Sequence, residues 1–124
     1  MKLDLEMLTN AFAQDPRVIL AVLFGSSQDG SIKPGSDVDI GVLLSPPLSP
    51  KEFFQFYLDV TERLPSIAEL DLVDLNHANS ILAFEALCGR RLFVRDPEAL
   101  ATFSSQTARQ YESDMRQAGI GNAA

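Results

Sequence analysis

The sequence predicts an α+β (mixed α/β) fold, a small sheet of three or four strands flanked by helices. Three observations carry this prediction. Val18 to Phe24 and Ile40 to Leu44 are apolar runs that suit strands buried on both faces. A Gly/Ser/Pro-rich stretch separates them, with Gly25, Gly30, Pro34 and Gly35 as turn residues. Amphipathic helical patterns precede the first run and follow the second. A chain of 124 residues makes a single domain, residues 1–124, with one modest core.

Residues 3–14 read as a short helix, because Leu8, Ala11 and Phe12 fall at i, i+3, i+4; Asp15-Pro16 ends it. Val18–Phe24 is the first strand, and Gly25-Ser26 closes it, with room for a short helical turn after Ser26. Asp37–Leu44 is the second strand, terminated by Ser45-Pro46-Pro47. Ser49 caps the next helix, Pro50 takes its first position, and Glu52 completes a capping box. Phe53, Phe56, Tyr57, Val60 and Leu64 share one face of it; Phe54 and Leu58 widen that face, and Pro65 stops the helix. The aromatic stripe is read as core, with any excess available to a partner. Leu70–Leu75 is a third strand, Ser80–Leu87 a short helix, and Arg91–Val94 an edge strand. Asp96-Pro97 opens a last helix, about residues 97–116, on which Leu100, Phe103, Thr107 and Tyr111 share a face.

Composition narrows the function. With 46% apolar and 22% charged residues the chain is an ordinary globular one. A net charge of −7 argues against a nucleic-acid binder that works by neutralising phosphates, and Arg90-Arg91 is the one adjacent basic pair, read as solvated. A nucleotide carried with Mg²⁺ is compatible with that charge. The single cysteine, Cys88, excludes an intramolecular disulfide and reads as a small core residue. No apolar run reaches the ~18 residues of a membrane span. The acidic, periodic N-terminus is unlike a signal peptide, so a cytoplasmic protein is expected. A homo-oligomer stays open.

The chemistry concentrates at the start of the second strand. Asp37 and Asp39 stand at i, i+2, and so point to one side of a strand roughly 6–7 Å apart. Two carboxylates at that spacing repel by about 2–3 kcal/mol at an effective dielectric near 20. Between apolar runs, such a pair implies a cation to hold. The corner at Gly25 and Ser26 offers backbone N–H groups and a hydroxyl to phosphate oxygens. A third carboxylate is available on the third strand. Asp71 and Asp74 have opposite parity; Asp71, flanked by Leu70 and Leu72, is preferred, and Asp74 reads as a surface acid. His77 stands alone in a turn.

The spaced pattern Gly25-Ser26, Gly30, Ser36-Asp37-x-Asp39 resembles the signature of the DNA polymerase beta-like nucleotidyltransferase superfamily. The size of the chain and Leu70-Asp71-Leu72-Val73-Asp74-Leu75 are similar to its minimal nucleotidyltransferase (MNT) branch. The resemblance covers about residues 15–95. It implies that Asp37, Asp39 and Asp71 hold Mg²⁺, two ions, as the catalytic acids. It further implies that Gly25 and Ser26, with Ser36 beside them, hold the nucleotide. Members of this branch are antitoxins that transfer AMP from ATP onto a HEPN-type ribonuclease toxin, so the resemblance implies that activity and that partner. Many of them resemble Gly-Ser-Arg-Ala-Arg-Gly in the turn, where this chain has Ser27-Gln28-Asp29. That difference keeps open a non-catalytic antitoxin that acts by binding. Nucleotidylation of a small molecule is the remaining alternative.

Overall fold

The computed structural model describes residues 3–31, 37–64 and 69–119. Pro34, Gly35, Ser36 and Pro65, each given a role by the sequence reading, lie outside the described residues.

The two apolar runs are the middle of the sheet. Strand β1 (Val18–Phe24) and strand β2 (Val38–Leu44) pair antiparallel, and each is buried along its whole length save for Ile19 and Asp39. Such continuous burial needs cover on both faces, and the helices supply it. Helix α1 (Leu5–Ala13) and helix α2 (Pro50–Glu62) close one face. There Phe12 and Phe56 meet Leu23, Ile40 and Val42 in one cluster. Helix α3 (Ser80–Leu87) and helix α4 (Pro97–Gln117) close the other, with Ala83, Ala86 and Leu100 against Leu20, Val22 and Leu43. Strand β3 (Leu70–Asp74) runs parallel to β2, and strand β4 (Arg90–Val94) antiparallel to β1. The sheet order is β3-β2-β1-β4.

Local signals stop and start these elements. The capping box at Ser49 and Glu52 is formed in both directions, with Pro50 opening the helix. Asn79 caps α3, and Asp96 caps α4. The end of β2 is held by Asn76, whose side chain accepts from the Leu44 N–H and donates to the Leu44 carbonyl, both at 2.9 Å. An amide side chain thus extends the β2–β3 ladder past the last backbone pair.

Two expectations are corrected. Cys88 is exposed, because it is the C-cap residue of α3 and its side chain leaves the packed face. The aromatic stripe of α2 is only partly core. Phe56 is fully buried and Phe53 packs at its edge, but Phe54 is 61% exposed. A helix can bury about a third of its circumference, and Phe54 falls outside that arc.

Candidate active site

Three neighbouring strands bring the site together in one row. Phe24, the last residue of β1, is the partner of Asp39 on β2, and Asp39 is the partner of Asp71 on β3. The chain leaves Phe24 through a single 3₁₀ turn, Gly25–Ser27. Gly25 has φ +74°, and a Cβ built on it would stand 2.5 Å from Asp39 Oδ2. Only glycine lets the backbone turn left-handed here and leaves room for that carboxylate. Ser26 is exposed at the corner. Ser27 is fully buried, and its Oγ has no hydrogen-bond partner. A buried hydroxyl without a partner carries a desolvation cost of about 1–3 kcal/mol, and here it sits in the turn that meets the carboxylates.

Asp39 is half-buried, whereas Asp37 and Asp71 are exposed on either side of it. Burial pushes the Asp39 carboxyl above the ordinary carboxylate value. The charge of Asp71, a shared hydrogen bond with it, and the charges of Asp37 and Glu85 push in the same direction. Glu85 belongs to α3, so one acid of the group comes from a helix that the sequence reading did not connect with the site. Among the described residues, no three His, Cys, Asp or Glu side chains form a closed metal-ligand set.

Asp74 lies elsewhere. Its carboxylate meets His77 Nδ1 at 2.8 Å and accepts from the Asn76 N–H, so it serves the turn after β3. His77 is accounted for by the same contact. The register of the parallel pair places Asp71, and not Asp74, opposite Asp39.

Positive charge near the turn comes from an unexpected quarter. Arg17 is held on Asp15 by two hydrogen bonds, at 3.0 and 2.7 Å. Arg63 donates to the Ala11 carbonyl, and Arg95 to the carbonyls of Val18, Ala13 and Asp15. These three hold the fold together. Arg90 pairs with Leu23 across β1–β4 and places Nη1 3.7 Å from where a Cβ on Gly30 would be. A guanidinium therefore lies against the far end of the loop that begins at Gly25. Gly89 permits that approach, since a Cβ there would meet the Leu23 carbonyl oxygen at 2.5 Å.

The residues are of the donor type that a hard divalent cation takes, though as placed they do not close a ligand set among the described residues. The converging groups are carboxylate oxygens, the donors that Mg²⁺ prefers. Crowded acids that raise the pKa of Asp39, beside a glycine turn, form a setting for phosphate carried on a cation.

The chain matches the family model "Polymerase beta, Nucleotidyltransferase" over residues 6–98, and it belongs to that family. Its fold is shared with solved toxin–antitoxin structures. One is a toxin–antitoxin with AMP-PNP, at 23% identity and TM-score 0.76, covering 93% of this chain and 92% of that one. Another is a tri-AMPylated Shewanella oneidensis HEPN toxin in complex with its MNT antitoxin, at 21% identity and TM-score 0.69, with 91% of each chain covered. A third is the toxin–antitoxin MntA-HepT, at 21% identity and TM-score 0.69, covering 91% of this chain and 88% of that one. No curated protein matches the chain in sequence.

Proposed function

We propose that this chain is an antitoxin of the minimal nucleotidyltransferase type, which transfers AMP from ATP to a hydroxyl of a HEPN-type ribonuclease toxin. The observation that carries the reading is the Asp39–Asp71 pair, set face to face beside Gly25. Family membership and the shared fold with an AMPylated-toxin complex support it.

Asp37, Asp39 and Asp71 would hold two Mg²⁺ ions. When bound, Mg²⁺ offsets the negative charge of the triphosphate and of the transition state. Gly25 and Ser26 would hold the β- and γ-phosphates. The acceptor oxygen forms a bond to the α-phosphorus. The bond from that phosphorus to the bridging oxygen breaks, and its electron pair leaves with pyrophosphate. Asp71, exposed at the edge of the sheet, takes the hydroxyl proton. A cytoplasmic setting suits a substrate of this kind.

The test is transfer of labelled AMP from ATP, with Mg²⁺, to a purified HEPN-type toxin. The native chain labels the toxin, and Asp37→Ala with Asp39→Ala does not. A second reading is favoured by one observation: the turn holds Ser27, buried, where related turns carry Arg. In that reading the antitoxin acts by occlusion. Full neutralisation by the double variant, with no label transferred by either protein, supports occlusion and rejects transfer.

A further inference from the structure

Helix α2 has a second face. Phe56 and Val60 are buried against the sheet. On the opposite side Lys51, Phe54, Leu58 and Glu62 are exposed, at i, i+3, i+7 and i+11, and they form one narrow stripe along the helix. Its middle is apolar: Phe54 is 61% exposed and Leu58 39%. Its ends are charged, with Lys51 in the first turn and Glu62 the last helical residue. A helix is positive at its N-terminus and negative at its C-terminus, so each of these charges stands at the end that disfavours it. Neither makes an ion pair with another described residue.

We propose that this stripe binds the same stripe of a second copy of the chain, the two α2 helices lying antiparallel about a two-fold axis over the middle of the helix. Two features select this occupant. The first is the order of residues along the stripe. An axis near Phe56 and Tyr57 sets Phe54 of each copy against Leu58 of the other, and Lys51 of each against Glu62 of the other. Both apolar residues are then covered, and both charges gain an opposite partner. A parallel pair would set lysine against lysine. A uniformly basic or acidic segment would satisfy one end of the stripe and be repelled at the other. The second feature is the helix dipole. An antiparallel neighbour brings its negative end to Lys51 and its positive end to Glu62, which reverses the disfavour that each charge meets on its own helix. A helix of 13 residues is about 20 Å long. One such contact covers less than the roughly 1,200 Å² of a permanent interface. The dimer is therefore reversible, and the charged ends fix its direction. It stands whether or not the chain transfers AMP.

The test is sedimentation velocity of the full chain over a concentration series, with circular dichroism to confirm that each variant is folded. The sedimentation coefficient of the native chain rises with concentration toward that of a dimer. Lys51→Glu and Glu62→Lys each oppose like charges at both ends of the contact, and each weakens self-association about tenfold. Mixed in equal amounts, these two variants associate as the native chain does, because every end then meets its opposite. The double variant, Lys51→Glu with Glu62→Lys, also regains self-association. Phe54→Asp abolishes it. A native chain that stays monomeric at every concentration overturns the proposal. A dimer that both single variants leave intact overturns it as well, and places the contact elsewhere. Single variants that stay monomeric when mixed show that Lys51 and Glu62 do not meet, and reject the antiparallel pairing. If the native chain is monomeric and Phe54→Asp loses binding to a HEPN-type toxin, the stripe belongs to that partner and the proposal falls.

Discussion

Asp39 and Asp71 are direct partners across the parallel β2–β3 pair, and they bring two carboxylates to the same edge of the sheet. Like charges placed directly opposite in a sheet destabilise it by about 0.2–1 kcal/mol. Asp71→Asn therefore melts about 1–4 °C higher than the native chain when no metal or nucleotide is present. The same change removes the rise in melting temperature that Mg–ATP gives the native chain. Thermal melts with and without Mg–ATP check both halves. An unaltered response to Mg–ATP in the variant would remove Asp71 from the site.

Gly25→Ala is expected to affect both fold and site. A Cβ there would stand 2.5 Å from Asp39 Oδ2, and the residue would hold φ +74°. The left-handed conformation alone costs a non-glycine residue about 1–2 kcal/mol. The carboxylate must also move. Denaturant unfolding should show that loss, and nucleotide-dependent stabilisation should vanish. Gly119→Ala, also at positive φ but with open space around it, shows the backbone cost without the loss of nucleotide response.

Asp15 and Arg17 give a pH dependence with a definite sign. The hydrogen bond from Arg17 holds the Asp15 carboxyl below its ordinary value of 3.8, against the opposing effect of burial. A lowered carboxylate pKa contributes stability that is present above the unfolded value and is lost as pH falls through the folded one. Arg17→Gln should be less stable than the native chain above the ordinary carboxylate value of 3.8, and the two should converge as pH falls through the lower, folded value. Urea titrations across that range measure the gap. A gap that stays constant with pH would show that the pair does not control acid stability.

Asn76→Ala removes both hydrogen bonds that the side chain makes to Leu44. The cost is about 1–3 kcal/mol, because the Leu44 backbone groups lose their partners at the buried end of β2. Amide exchange at Leu44 should quicken while exchange in β4 is unchanged. Equal quickening in both strands would point to global loss of stability.

Much of the frame was legible because its signals are local. The apolar run Val18–Phe24 is β1 without a residue added or lost, and Ser49, Pro50 and Glu52 mark the start of α2 by their own chemistry. Other features depended on neighbours that no local pattern names. Asp71 and Asp74 were separable by parity, but which of them meets Asp39 is a matter of register between strands far apart in sequence. Arg90 is exposed, as read, but only the β1–β4 pairing shows that it stands beside Gly30. Glu85 had no motif around it at all. Phe54 and Cys88 were misjudged for a different reason: residue type favours burial, and the angular position of Phe54 on α2 and the C-cap position of Cys88 after α3 override that preference.

The parallel join between β2 and β3 has a consequence in time. Antiparallel neighbours such as β1 and β2 can pair as soon as a turn closes, but a parallel partner must wait for its crossover. During synthesis, at roughly 5–20 residues per second, Asp37 and Asp39 emerge well before the strand that carries Asp71. Until α2 has folded across the sheet, the chain carries its glycine turn and its first two acids without the third. The order of synthesis and folding thus delays the meeting of Asp39 and Asp71 until the sheet is nearly whole. A partially made chain lacks the Asp39–Asp71 pair.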